Sequence, residues 1–558
     1  MCCIDFDAMR NLGACLLILI GCTAAPGTAA AGQPPVLLTY EHLRQLYQSK
    51  SPSPQIDTQL HLLLTTPFVS NRAFAEGVRP LRPAVSGLGR CLVVAQWNIE
   101  RGLEFDAVRL ALGDPARFSA FLNERGTEID AEERKNVLEQ ARTLQQADVI
   151  VLNEVDWGVN RRLFRNVAAD LAADLRMNYA YGVEFVEVDP VTMGLDQSLI
   201  AKEVAETYTV PGEDEEQAAT QIRDIMKPDP ARYRGLHGSA ILSRYRLDNV
   251  RLRPFTFQGH DWYDDELRRT SQVARAQGWL SSTIFNEQLM RQVRRGGRMM
   301  LTADLVDPEL PSGRVTVVAT HLEDVTKPSN RQKQLAELLG DIQGIGHPVN
   351  LAGDMNTSMR EGLPITLNQL LKERFGSGKW WAKQGLANTI MYATPAGWLY
   401  KISRGMFSVA RKVNDPTATN IPLIGENPEA KFFTTLEKFR FADGGTFDFR
   451  GDRDRAWKGH SGTLSNSNER TTKGFLTTQE LDRTYGPFGA FKLDWIFVKP
   501  SHLTDPHGTE QPYRFAPHFG RTMRRLNHSL PGHISDHSPI TVTLPLEEPE
   551  KPSPTPAG

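Results

Sequence analysis

Asp354 and Asn356 stand two residues apart at the end of a short apolar run, Val349-Asn350-Leu351-Ala352-Gly353. At a strand end, residues i and i+2 project to the same side. The pair therefore sets one charged acceptor and one neutral donor/acceptor on rigid backbone at the rim of a sheet. Gly, Asp and Asn are also ordinary turn residues, so the spacing alone does not separate chemistry from an Asx turn. The same arrangement recurs along the chain. Asn98 and Glu100 close the run from Cys91, Glu154 closes the run from Asp148, and His321 closes the run from Val315. Asp494 stands inside Lys492–Val498, and Asp536 and His537 open Ile534–Leu544. Each alone reads as a turn residue or a hydrogen-bonded His; so many together at strand edges do not. Carboxylates with Asn suit a hard, oxygen-seeking ion such as Mg²⁺. Two histidines raise zinc, but no His-x-x-x-His or Cys-x-x-Cys spacing supports it. No phosphate-binding Gly-x-x-x-x-Gly-Lys loop, Gly-x-Ser-x-Gly elbow or dinucleotide fingerprint offers another chemistry.

The elements that must position these groups are legible from periodicity. Short apolar runs predict buried strands ending at the residues above, with a further strand at Gly238–Ser243 after His237. Helical spacing predicts helices over Asp130–Gln146, Asn160–Leu175 and roughly Asn330–Ile342. The alternation of strands and helices fits an α/β chain.

Taken in order, QWNIE, LNEVD, HGSAILSR, ATHLED, LAGDMN, KLDWIFV and SDHSPITV resemble the motifs of the endonuclease/exonuclease/phosphatase superfamily. Deoxyribonuclease I, the apurinic endonucleases, neutral sphingomyelinases and inositol-polyphosphate 5-phosphatases belong to it. The resemblance runs from about Leu92 to Leu544, interrupted by long insertions. It implies an α/β fold: a four-layer sandwich of two packed, mostly antiparallel β-sheets flanked by helices. It implies a metal on Glu154 with Asn98 beside it and Asp536 close by, Mg²⁺ being expected and Mn²⁺ an alternative. It gives Asp354 and Asn356 the orientation of the attacking water and the phosphate. It makes His537 the terminal catalytic histidine, Asp494 its hydrogen-bonding aspartate, and His321 the second histidine of the nuclease and sphingomyelinase branches. Glu100 falls where members vary, and Ser239 replaces a common Asn. The implied activity is hydrolysis of phosphate esters, diester or monoester, by in-line attack of an activated water. The alternative is an envelope-anchored interaction protein that keeps the fold without turnover.

Substrate choice should reside in the insertions. Arg514, His518, Arg521, Arg524, Arg525, His528 and His533 lead into the Ser-Asp-His motif, and Arg521, Arg524 and Arg525 are candidates for substrate binding. Arg291, Arg294, Arg295 and Arg298 have the spacing of one basic helical stripe, either a solvated face or a phosphate-binding rim. Glu213–Met226 reads as an acidic helix. Lys379-Trp380-Trp381-Ala382-Lys383 reads as an insertion's own core or a membrane-interface pair. The Pro-Ala-Trp-Cys-Asp-Arg signature of inositol-polyphosphate phosphatases is absent around Asp494, which lowers inositol phosphates as substrates. Nucleic acid, phospholipid head groups and small phosphate esters remain.

At 558 residues, 40% hydrophobic and 23% charged, the chain is long and apolar enough for a large core. Its formal charge of -2 gives no global pull toward nucleic acid or an anionic membrane, so attraction for an anionic substrate must be local. The apolar run Leu12–Ile20 is too short to span a bilayer and suits a signal-peptide core. Asp5 and Asp7 are out of place before such a core, which makes Met9 an alternative start. Leu19-Ile20-Gly21-Cys22 resembles a bacterial lipobox with Cys22 lipidated, whereas Thr28-Ala29-Ala30-Ala31 suits an ordinary signal peptidase. Of the five cysteines, only Cys91 lies beyond this leader, so no internal disulfide is expected. The expected organisation is a signal peptide at 1–22, a linker at 23–36, an N-terminal extension at 37–90, the domain at 91–546 and a disordered tail at 547–558. The expected location is the bacterial cell envelope or periplasm, with membrane attachment through Cys22 if lipidated.

Overall fold

Strands buried on both faces decide the layers of this protein. The computed structural model describes residues 34–125, 127–190, 192–194, 228–268, 293–357, 429–472, 474–480, 490–509, 513–530 and 533–547. In chain order the principal strands are β1 (Phe68–Ser70), β2 (Gly89–Asn98), β3 (Val149–Trp157), β4 (Asn178–Glu187), β5 (Leu236–Ser243), β6 (Arg246–Pro254) and β7 (Arg294–Gly296). They continue with β8 (Met299–Val306), β9 (Arg314–His321), β10 (Val349–Asp354), β11 (Asp494–Lys499), β12 (His518–Thr522) and β13 (Ile540–Pro545). One sheet has the order β1-β4-β5-β3-β2-β13-β12, with β7 also pairing to β4; the other has the order β11-β10-β9-β8-β6. Only β2 with β3 and β9 with β10 pair in parallel among these neighbours.

Along β2, Leu92 and Val94 face the second sheet while Val93, Ala95 and Trp97 face the helices. Along β9 the inward set is Val315, Val317 and Ala319, and along β11 it is Ile496 and Val498. This inter-sheet core is closed on both sides. Helices α1 (Tyr40–Gln48), α2 (Pro54–Thr65), α3 (Phe105–Gly113), α4 (Pro115–Glu124), α5 (Ala131–Gln145) and α6 (Val167–Asp174) cover the first sheet. Helices α7 (Pro328–Ile342) and α8 (Ala430–Lys438) cover the second, with Leu335, Leu338, Phe432 and Phe433 packed on Val318, Leu351 and Trp495. The four-layer sandwich expected from the motifs is the fold observed, and each fully buried aliphatic side chain stabilises it by about 1.5–3 kcal/mol. Cys91 is a buried free thiol, its pKa pushed up to about 12 by burial. Residues 37–90 supply α1, α2 and edge strand β1, whose Leu43, Leu46, Leu60 and Leu63 belong to the same core as Trp97.

Local readings differ from the structure in three places. The helix expected over Asn160–Leu175 begins only at Val167, where the Asn166 side chain caps it by accepting from the Ala169 N–H. Before it, Leu163 and Phe164 adopt left-handed backbone, and Arg161 is drawn to Asp156 and Glu187 instead of into a helical turn. The expected basic helical stripe is extended chain: Arg294 and Arg295 lie in β7, and Arg298 precedes β8. Gly296 and Gly297 interrupt any helix there, and buried Arg294 and Arg298 pair with Glu187 and Glu184 of β4. Glu154 does not end its strand; β3 continues to Trp157, and Glu154 sits at a register break with φ 53°. Arg291, Glu213–Met226, Lys379–Lys383, the leader and most of the tail lie outside the described residues. No described helix is long and apolar enough to cross a membrane.

Candidate active site

The inter-sheet space is apolar along most of its length and turns polar at one end. The inward rows that begin with Val94, Val151 and Ala319 end in Gln96 and Asn98, Asn153, and His321. In the second sheet, His321 pairs in register with Asp354 and Asp354 with Asp494, so three adjacent strands set one row of ionisable groups. In the first sheet, Asn98 pairs with Asn153 one residue before Glu154. His537 enters from the segment preceding β13, three residues before Ile540 joins Gln96 of β2.

Hydrogen bonds stitch the two sheet ends together. Nδ1 of His537 is 2.7 Å from Oδ2 of Asp494, whose Oδ1 accepts from Nε2 of Gln96 at 2.8 Å. Nε2 of His537 and Nε2 of His321 approach the same oxygen, Oδ2 of Asp354, at 3.7 and 3.5 Å. Nδ2 of Asn98 donates to that oxygen at 3.1 Å and to Oε1 of Glu154 at 3.3 Å. The Asn153 amide receives the Asp354 N–H on its oxygen and donates to Ser239 Oγ and the Thr320 carbonyl. Asn356, at φ 48°, donates its N–H to Oδ1 of Asp354 and its side-chain amide to the Leu322 carbonyl. Beneath Asp494, buried Lys492, its pKa brought down to about 7 by burial, donates from Nζ to the Asp494 carbonyl and to Oδ1 of Asn468.

Charge is distributed unevenly across this cluster. Burial works against a charged His537, but the carboxylates of Asp494, Asp536 and Asp354 outweigh it and raise its pKa well above the ordinary value. It is an imidazolium at neutral pH. Burial, opposed by His537 and reinforced by Asp494, pushes Asp354 up to about 7. Burial and then Arg298, His237 and His537 hold His321 well below its ordinary value, so it is neutral. Glu154 would be raised by burial, but Arg101, His237 and His537 hold it below the usual carboxylate range.

Among the described residues, two His/carboxylate groups bring ligand atoms close enough for an ion: Asp354 with Asp494 and His537, and Asp156 with Glu187 and His237. The second is already neutralised, because Arg161 forks onto both Asp156 and Glu187 at 2.7–3.1 Å. In the first, the His537 imidazolium sits where a cation would compete. Glu154 fits a hard divalent ion better. It stays ionised, its side chain keeps 24% exposure, and its nearest cation is Arg101 at 3.9 Å, while the Asn98 NH2 donates to its Oε1 and holds the carboxylate in place.

The remaining sequence candidates lie around this centre. Glu100 accepts the Asp536 N–H at 3.0 Å, which ties the loop after β2 to the segment bearing His537. The Asp536 carboxylate adds to the field on His537. Arg521 is bound to Thr143 and Glu139 of α5 and stacks on Trp457; Arg524 pairs with Glu480, and Arg525 with Glu133. These three arginines are thus not brought to Asp354. Gln96, Asn153, Arg101 and Lys492 have no role in the sequence reading, and Arg298 enters it only as part of the basic stripe. Gln96 and Asn153 share the two-residue spacing with Asn98 and Val151, which is the signal that would have found them.

Against known proteins, the sequence model of the Endonuclease/Exonuclease/phosphatase family matches residues 95–537. No curated protein matches the chain by sequence. Similar solved structures include an endonuclease/exonuclease/phosphatase from Beutenbergia cavernae, at 15% identity and TM-score 0.33, covering 82% of this chain and 72% of that one. The human Nocturnin catalytic domain follows at 12% identity and TM-score 0.31, covering 83% and 98%. A 3'-5' exonuclease from Neisseria meningitidis stands at 11% identity and TM-score 0.35, covering 81% and 99%.

Proposed function

The chain belongs to the Endonuclease/Exonuclease/phosphatase family, and we propose that it is an exported, Mg²⁺-dependent phosphoesterase acting by in-line attack of water. The observation that carries this reading is the meeting of Asp354, His537, Asp494, His321, Glu154 and Asn98 at one end of the two sheets.

Each residue's part follows from its charge and neighbours. Asp354 is the acceptor for the attacking water; its carboxylate is fixed by Asn98 and the Asn356 N–H, so it aligns the nucleophile without reorganising. His537, held charged by Asp494, donates toward the phosphoryl group and stabilises charge that develops there. His321 adds a second donor on the other side of Asp354. Glu154 would hold the divalent ion, with Asp536 contributing nearby negative charge; Asn98 would join it through its amide oxygen only by giving up the Glu100 N–H, and as arranged its NH2 orients Glu154 and Asp354. Such an ion polarises a phosphoryl oxygen when bound. Few protein ligands imply weak Mg²⁺ binding that substrate phosphate completes. Arg521, Arg524 and Arg525 act at the periphery of the substrate approach in this reading, through exchange of their present carboxylate partners for phosphate. The leader sequence with Cys22 supports export and lipid anchoring in a bacterial envelope, which radiolabelled palmitate incorporation in wild type and Cys22→Ser would check.

Hydrolysis of bis-p-nitrophenyl phosphate, plasmid DNA, sphingomyelin and simple phosphomonoesters, with Mg²⁺ and with EDTA, tests the proposal. Metal-dependent turnover of at least one ester is expected. A complete absence of turnover, or rates indifferent to EDTA, would sink it.

A further inference from the structure

His321 and His537 flank the same carboxylate oxygen, yet their Nδ1 atoms meet partners of opposite charge. Nδ1 of His537 faces the Asp494 carboxylate at 2.7 Å. Nδ1 of His321 faces Nη1 of Arg298 at 2.8 Å. A guanidinium has five N–H donors and no acceptor. Nδ1 of His321 must therefore accept, which leaves the ring's single proton on Nε2, 3.5 Å from Oδ2 of Asp354.

We propose that Arg298 is a positioning residue that locks His321 as the neutral Nε2–H tautomer, making it a fixed hydrogen-bond donor beside Asp354 that exchanges no proton. The proposal rests on the phosphoesterase reading for its consequence, and on the hydrogen-bond geometry for the tautomer itself.

The surroundings of both residues hold this arrangement in place. Arg298 is 3% exposed and is anchored by Glu184 at 3.0 Å, Asp324 at 3.0 Å and Glu323 at 3.7 Å. Its planar face lies over Phe185. Its backbone N–H donates to the Gln258 side chain, which donates back to the Arg298 carbonyl. The guanidinium has no room to swing away from the imidazole. The carboxylate nearest Nδ1 of His321 is Glu184 at 3.8 Å, too long for a hydrogen bond and already receiving Arg298 and Ser239. His237, His537 and Arg294 also add positive potential around the ring, which disfavours a second proton on it.

The fixed tautomer divides labour between the two histidines. His537 carries a charge that Asp494 sustains, whereas His321 offers only an oriented dipole. Replacing His321 by Gln keeps an N–H donor near the position of Nε2 but cannot cycle a proton; Ala removes the donor.

Long-range ¹H–¹⁵N correlation spectra of the ¹⁵N-histidine-labelled wild-type protein, with the His321 signals assigned through His321→Gln, read the tautomer directly. A pyridine-type Nδ1 and a pyrrole-type Nε2 at neutral pH are expected. A protonated Nδ1 overturns the proposal whether or not any substrate is found. In folded Arg298→Met the His321 signals should move toward a tautomer mixture; an unchanged pure Nε2–H form would show that Arg298 is not the lock. If that variant fails to fold, the wild-type spectrum still decides the tautomer. With bis-p-nitrophenyl phosphate and Mg²⁺, His321→Gln should lose about tenfold in kcat and His321→Ala on the order of 10²–10³-fold. Equal losses in the two variants would mean that His321 does exchange protons. Failure of every phosphate ester to turn over would remove the phosphoesterase reading while leaving the spectroscopic result intact.

Discussion

Asp354 is where reactivity and stability pull against one another. Its carboxyl titrates at about 7 because burial and Asp494 oppose ionisation more than His537 favours it. In an unfolded chain the same group titrates near about 3.9. The folded state therefore binds more protons between those values, and the stability it contributes below pH ~4 is lost as pH rises through about 7. Asp354→Asn removes that loss. The variant should be more stable than wild type at pH ~8 by roughly 1–3 kcal/mol, with the gain shrinking toward pH ~4. Urea denaturation at the two pH values reads this, and an equal gain at both would mean that Asp354 titrates normally in the fold. The same variant should lose activity on the order of 10²-fold or more, as should His537→Ala, and near-wild-type turnover in either would remove its assigned role. Glu154→Gln keeps shape and removes charge, so the Mg²⁺ concentration for half-maximal rate should rise, with partial rescue by Mn²⁺. A metal titration of the rate checks it, and an unshifted midpoint would place the ion elsewhere. At this scale the sequence is informative where a polar residue ends an apolar strand, as at Asn98, His321 and Asp354. It is silent where a side chain acts through a distant partner: nothing near Gln96 indicates Asp494, 398 residues away.

Strand edges do the positioning, and one glycine permits the close approach of two of them. Gly353 lies beside Thr320 in the parallel pair β9–β10, at φ 153°, and a Cβ there would stand 1.9 Å from the Thr320 carbonyl oxygen. Asp354 and His321 are the next residues on those two strands. Gly353→Ala should therefore force the strands apart, cost on the order of 2–4 kcal/mol and reduce kcat together with stability. Denaturation midpoints and rates measured on the same preparation check it; a stable, fully active variant would show that the backbone relaxes without moving the row. The helices whose ends were legible had both periodicity and caps, as with α5 and its Asp130 cap. The expected helix from Asn160 failed because Arg161 finds two buried carboxylates that no local pattern reveals. The expected arginine stripe failed for the same reason, with Gly296-Gly297 as the local signal against it.

At the scale of the molecule, the site belongs to neither sheet. Asn98 and Glu154 come from one, and His321, Asp354 and Asp494 from the other, so their spacing is set by the apolar layer between them. Ile496 lies in that layer two residues after Asp494 on the same face of β11. Ile496→Ala should cost roughly 2–4 kcal/mol through the cavity it leaves. It should also lower kcat by about tenfold through a shift of the Asp494–His537 pair. Calorimetry with steady-state kinetics separates the two effects, and unchanged kcat at lowered stability would mean that the row is insulated from the core. The layered architecture was legible through the ordered motifs and the family they resemble, since continuous apolar runs such as Val349–Ala352 mark strands buried on both faces but not how the sheets stack. Sheet order was not, since pairing such as Ile540 with Gln96 joins distant segments with no local signature.

The place of β13 between β2 and β12 carries a consequence for timing. While a ribosome is still making the chain up to residue 530, β2 keeps an open edge and the nascent protein has no imidazolium opposite Asp354. The row of ionisable groups is therefore completed only when the segment from Ser535 to Pro545 docks into the gap.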